Sequence, residues 1–140
     1  TLTYRATVEL AGVDAVQNMY CVCTFNPFSE AKINQDFMAK YTAAYGENQI
    51  PSSPCGLTYD AVYVIAKAVE QGATRENLAD WIMNRIDGNE KFSMEEMLLG
   101  PNITWADNGN VDSFVSSVVR VDENGEFVPY GDVDITGLTG

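Results

Sequence analysis

Apolar positions along this chain follow two periods, and each predicts a kind of element. Residues Leu2 to Ala11 have the spacing of a helix end, stopped by Gly12. From Asn18 to Phe25 the run is apolar and β-favouring, which predicts a buried strand. Asn26-Pro27-Phe28-Ser29 breaks it. Ile33, Phe37, Met38, Tyr41, Ala44 and Tyr45 then recur at helical spacing, with Ser29 as the expected N-cap and Gly46 as the stop. Lys32 stands where the acid of a capping box belongs, so that box is incomplete.

Glu47 to Pro54 reads as a loop with two prolines and two serines. The next helix, Leu57 to Gly72, is expected to bury Leu57, Ala61, Val64, Ile65, Ala68 and Val69. Thr74 is the expected cap of a further helix with Leu78, Trp81, Ile82 and Ile86 inward, ended by Asp87-Gly88-Asn89. Asn77 rather than an acid at its third position leaves this cap partial. Phe92 to Leu99 reads as a short helical turn. Asn108-Gly109 and Asn124-Gly125 read as tight hairpin turns, with Phe114 to Val121 a strand between them. No internal repeat or low-complexity segment interrupts the pattern. Helices alternating with β runs predict an α/β domain.

Composition narrows the chemistry. The 140 residues suffice for one ordinary domain, and 46% are hydrophobic, so the chain is globular rather than disordered. No apolar run reaches the roughly 18 residues that a membrane span needs. A net charge of −12 repels phosphate backbones and anionic membranes, so no nucleic-acid partner is expected. Thr1 is not an initiator methionine, and the chain is expected to be processed, truncated or excised from something longer.

There is no histidine, which removes Ser-His-Asp and Cys-His catalysis and the usual zinc ligand sets. Cys21 and Cys23 share a strand face about 6.6 Å apart. A disulfide needs Cβ atoms about 3.8 Å apart. They read as small buried hydrophobes, with Cys55 unpaired. Asp107, Asn110 and Asp112 do not match the spacing of a calcium loop. No metal or cofactor is expected. Tyr59 and Asp60 are adjacent, so on a helix they point about 100° apart and cannot act as an acid/base pair. Asp60 reads as a partner of the helix dipole.

Four motifs in register carry a resemblance. They are Leu10-Ala11-Gly12 leading to Val22, Lys40 to Gly46 with its Tyr45-Gly46 end, Tyr59-Asp60-Ala61 heading a long helix, and Gly100-Pro101 with Trp105 to Gly109. In these the chain resembles the C-terminal portion of a type I periplasmic binding protein, of the branched-chain amino-acid (Leu/Ile/Val) group that serves ABC transporters. The resemblance implies a partial fold of that type, with Rossmann-like α/β lobes joined by hinge strands. Residues 1–24 would end the second lobe, 25–114 would close the first, and 115–140 would return to the second. Crossings would fall near Thr24–Asn26 and Phe114–Ser116.

The implied function is capture of a small solute, an amino acid or similar, by hinge closure and its delivery to a membrane permease. No bond is made or broken, so no enzyme activity is implied. The implied location is extracytoplasmic, periplasmic or lipid-anchored at the cell surface. Most of the family's ligand-gripping residues lie upstream of Thr1. What remains is the loop before Tyr59, so the ligand-binding candidates are Ser53, Pro54 and Cys55. Pro54 stands where the family commonly has an aromatic against the ligand, which is a departure from an amino-acid site.

Three other readings differ in class. One is a sensor or receptor ectodomain of the same fold. Another is a thiol enzyme using Cys21, Cys23 or Cys55, which lacks a histidine base. The last is a stable fragment whose apolar faces, left without the missing half, would drive self-association, as in a swapped dimer, or a repacked compact monomer.

Overall fold

The computed structural model describes residues 5–47, 49–86, 92–112 and 115–134. Two packed regions make up the molecule. The first is built from both ends of the described chain. Helices α1 (Arg5–Ala11) and α2 (Val13–Val16) lead into β1 (Tyr20–Cys23). Much later β4 (Val115–Val121) and β5 (Phe127–Asp134) complete a sheet of order β1-β4-β5. Both pairings are antiparallel, with Cys23 opposite Ser117 and Val121 opposite Phe127.

Among the described residues only one face of this sheet is covered. Cys21, Cys23, Val119, Val121 and Phe127 pack against Val8 and Val16 of the two helices. The opposite face exposes Tyr20, Val22 and Tyr130, with Val22 74% exposed. The expected buried strand is therefore a half-buried one, because α1 and α2 lie on a single side. Cys21 and Cys23 are small buried hydrophobes as expected, and burial raises both thiol pKa values.

The two Asn-Gly hairpins form. Gly125 adopts φ +80°, and the Asp122 carboxylate accepts the Asn124 and Glu126 N–H groups at 2.8 and 2.9 Å. Those bonds, from Glu126 first, hold the Asp122 carboxyl below its ordinary pKa. Asn124 and Asn108 keep negative φ, so neither turn is the type I′ form that requires both residues at positive φ.

The second region runs from Phe25 to Asp112. Helix α3 (Lys32–Tyr45) ends at Gly46, φ +94°. Its start differs from expectation: Ser29 Oγ accepts the Ala31 N–H in the preceding turn, and Ala31 occupies the cap position. The next helix, α4 (Ser53–Glu70), begins four residues before Leu57 and stops at Gly72. In α5 (Leu78–Ile82) the inward Leu78, Trp81 and Ile82 pack on the core. Thr74 is not its cap. The Thr74 N–H donates to the side chain of Asn77, which occupies that position. The expected stop at residues 87–89, the residues before Arg5 and the start of the 114–121 strand lie outside the described residues.

Two further expectations fail for one reason. Phe92 to Leu99 is no helical turn. Met94–Met97 is strand β2, paired through a Leu98-Leu99 turn with β3 (Gly100–Ile103). Val64 and Ala68 of α4 are buried as expected, but they share the buried row with Gly56 and Asp60, while Leu57, Ala61, Ile65 and Val69 are exposed. Helix and hairpin are locked together by Asp60. Its two carboxylate oxygens accept the Leu98 and Leu99 N–H groups at 3.0 and 2.9 Å. Asp60 is 3% exposed, and burial raises its pKa against the lowering effect of those two bonds. Turning Asp60 inward rotates α4 by about one residue, or 100°, from the orientation the apolar pattern alone favours.

Gly56 completes the lock. A Cβ at this position would lie 2.6 Å from the Phe25 ring, and Phe25 is 1% exposed. Only glycine lets that ring rest on the helix. Around it Phe25, Phe37 and Leu98 form one buried cluster. Phe92, Met94, Met97, Leu99 and Ile103 form another with Val64 and Ala68.

Gly56→Ala is expected to lower stability by about 1–2 kcal/mol through overpacking. Helix propensity alone predicts a gain of up to about 1 kcal/mol. A urea midpoint at or above that of the wild type would contradict the Phe25 contact. Asp60→Ala strips two buried N–H groups of their acceptor and is expected to cost about 2–4 kcal/mol. Asp60→Asn tests the sign of the pH dependence. The folded carboxyl binds its proton more tightly than the unfolded one, so the wild type should lose stability relative to Asp60→Asn as pH rises through the raised pKa. A stability difference that moves the other way, measured by denaturation across that range, would sink the assignment.

Candidate functional site

The first turn of α4 follows the Glu47–Ser52 segment. Ser52 has extended backbone at the cap, and Pro54 lies within the first turn, where its missing N–H costs nothing. Ser52 Oγ and Cys55 Sγ are 3.4 Å apart. Facing this turn is the C-terminal half of α3. Between the helices Phe37 meets Tyr59 at a ring separation of 4.9 Å, and along α3 Tyr41 meets Tyr45 at 4.6 Å. The gap between the helices is a groove of about 520 Å³.

Phe37, Lys40, Tyr41, Tyr45, Thr58 and Tyr59 line the groove, together with Pro54 and Cys55. Lys40 is its one charged lining residue. The Tyr59 hydroxyl donates to Tyr63 at 3.1 Å, which raises the Tyr59 phenol pKa while Lys40 acts in the opposite sense. The arrangement offers apolar ring faces, two kinds of hydroxyl and one cation. That suits holding a small molecule by stacking and a single charge–charge contact.

Of the residues singled out from sequence, Pro54 and Cys55 stand on the groove wall. Ser53 is half-buried and does not line it. The reading missed the α3 side of the site. Its signal was present in Phe37, Tyr41 and Tyr45 at i, i+4 spacing, but the same spacing marks a core face, and it was read as one. In fact Phe37 is buried and Tyr45 is exposed. Among the described residues no three His, Cys, Asp or Glu side chains converge as a metal site requires. No helix among them is long and apolar enough to cross a membrane.

The family model for periplasmic binding proteins matches residues 1–126. The chain belongs to that family, which is one of extracytoplasmic binding proteins rather than enzymes. Solved structures agree on the fold. The solute-binding protein of an ABC transporter from Rhodopseudomonas palustris BisB5, in complex with 3,4-dihydroxybenzoic acid, matches with TM-score 0.65 and 16% identity over 88% of this chain and 32% of its own. The ABC transporter substrate-binding protein from Desulfitobacterium hafniense, in complex with Leu, gives TM-score 0.67 and 18% identity, over 90% of this chain and 38% of its own. The leucine-, isoleucine-, valine-, threonine- and alanine-binding protein from Brucella ovis, closed conformation, gives TM-score 0.68 and 16% identity, over 95% and 35%. The chain thus spans about a third of the length of each, as a partial type I periplasmic-binding fold. No significant match to a curated protein was found.

Cys55 is exposed while Cys21 and Cys23 are buried. A thiol reagent that releases a chromophore should therefore titrate one fast equivalent in the folded chain and the remaining two only on unfolding. More than one fast equivalent would contradict the burial of the β1 pair.

Proposed function

We propose that the chain is the C-terminal part of an ABC-transporter solute-binding protein, which captures a small solute by hinge closure and delivers it to a membrane permease. The observation that carries this reading is the family match over residues 1–126. In this reading residues 1–24 and 115–140 belong to one lobe and 25–114 to the other. The exchange of chain between the two packed regions near Thr24–Asn26 supports that division. The protein works outside the cytoplasm, in a periplasm or anchored by lipid at the cell surface. Self-association of the 140-residue chain belongs to the same reading.

The solute-facing residues we propose are Pro54, Cys55 and Tyr59 on α4, with Ser53 supporting the turn and Lys40 and Tyr41 of α3 opposite. An amino acid or a small aromatic acid suits this wall. The carboxylate of either would pair with Lys40, and an apolar side chain or ring would lie on the tyrosines. The structural relatives that hold leucine and 3,4-dihydroxybenzoic acid support both classes.

Leucine and 3,4-dihydroxybenzoate should be titrated separately into ¹⁵N-labelled chain. Amide shifts are expected at Cys55, Thr58, Tyr59 and Tyr41 for at least one of them, and they should be lost in Lys40→Ala. No shift at those amides up to about 10 mM ligand, a binding free energy of only about −3 kcal/mol, would overturn the groove as the site.

A further inference from the structure

The two Asn-Gly pairs, Asn108-Gly109 and Asn124-Gly125, are each preceded by an acid, so their local sequences are alike. Their side chains are held in opposite senses. Glycine has no side chain to shield its backbone nitrogen, and that nitrogen can attack the side-chain carbonyl carbon of the asparagine before it. Where the asparagine side chain is held decides whether it does.

At Asn108 the side chain folds forward. Asn108 Oδ1 accepts the Asn110 N–H at 2.9 Å, a turn that spans Gly109 and lays Cγ beside the Gly109 nitrogen. The same N–H polarises the carbonyl and faces the oxygen on which charge develops as the nitrogen adds. The loop is fixed around this contact. Ala106 N–H donates to the Asn110 carbonyl oxygen at 2.8 Å, Trp105 bridges Val111, and the Arg85 guanidinium donates to the Asp107 carbonyl oxygen. Arg85 thereby brings a cation to the loop, and the exposure of Asn108 and Gly109 admits water.

At Asn124 the side chain folds backward. The Asp122 carboxylate accepts the Asn124 backbone N–H at 2.8 Å and a side-chain N–H of the same residue. That draws Cγ toward residue 122 and sets a negative charge where it opposes an anionic Gly125 nitrogen. The glycine N–H is bonded in both turns, Gly109 to Ala106 at 2.8 Å and Gly125 to Asp122 at 3.1 Å, so that restraint is shared.

We propose that Asn108 is a site of spontaneous covalent modification, deamidation promoted by its own loop, and that Asp122 protects Asn124 from the same reaction. The Gly109 nitrogen gives its proton to hydroxide and bonds to Cγ. The Cγ–Nδ2 bond breaks, and Nδ2 leaves as ammonia with a proton from water, which restores the hydroxide. The resulting succinimide is opened by water at one of its two carbonyls, leaving aspartate or isoaspartate at 108. Both products add one negative charge. Isoaspartate also adds a main-chain atom to the loop closed by the Trp105–Val111 bridge.

Peptide mapping by mass spectrometry follows both sites in one sample of folded chain kept at mildly alkaline pH. Residue 108 is expected to convert on the order of ten-fold faster than residue 124. In a urea-unfolded sample the two rates should be equal. Equal rates in the folded chain, or a faster rate at 124, overturn the proposal. A preference for 108 that persists in urea belongs to the local sequence and overturns it as well. Asp122→Ala releases the Asn124 side chain and should raise the rate at 124 several-fold while leaving 108 unchanged. An unchanged rate at 124 overturns the protection by Asp122. The wild-type comparison stands whether or not this variant folds.

Discussion

The second packed region depends on one buried carboxylate. Asp60 sits in the middle of α4 with no cation paired to it among the described residues, and its oxygens are satisfied by two consecutive backbone N–H groups of the Leu98-Leu99 turn. That turn is the tip of the β2–β3 hairpin, so one side chain fixes both the rotation of the helix and the position of the hairpin. A charge in so dry a place is costly, and the two donors offset part of that cost. Once Asp60 points inward, Gly56, Val64 and Ala68 must follow, because they lie on the same i, i+4 row. Phe25 settles into the space that Gly56 leaves, and the aromatic chain from Phe25 through Phe37 to Tyr59 is set in place.

The same rotation determines what faces outward. The groove beside Pro54 and Cys55 exists because Tyr59 reaches toward α3, and Tyr59 does so because its neighbour Asp60 is turned to the hairpin. The exposed apolar residues of α4, Leu57, Ile65 and Val69, are the complement of that choice. Groove and exposed apolar surface are thus two consequences of one orientation, at the start and along the length of a single helix.

Much of the element order could be read from the chain. Glycines at 12, 46 and 72 mark helix ends because positive φ at those places excludes most side chains, and each adopts it. The Asn-Gly hairpins and the buried face of Cys21 and Cys23 are likewise local facts that local spacing reveals. The reading went astray where a distant group decided the outcome. Nothing within residues 92–99 announces that Asp60 will take the turn's N–H groups. Nothing within α4 shows that a charged residue outranks Leu57 and Ile65 for the interior. Of the candidate site, the α4 wall was legible at Pro54 and Cys55 through family resemblance. The α3 wall was hidden because stacked aromatics at helical spacing look the same whether they fill a core or border a groove.

The long interruption of the β1–β4 pair has a kinetic meaning. Cys23 and Ser117 are register partners, yet more than ninety residues of chain separate them. Closing a loop of that length costs little more than closing one half as long, because the entropy grows only with the logarithm of length. Its effect falls on time instead, since distant pairings form slowly when nothing has gathered the intervening chain. The intervening region has its own clusters and its own Asp60 lock, so it can collapse first and bring the two strands within reach. On this topology the terminal sheet is expected to close last and open first. The proposed hinge closure would draw on that order, because segments that move come from the less stable parts of a fold.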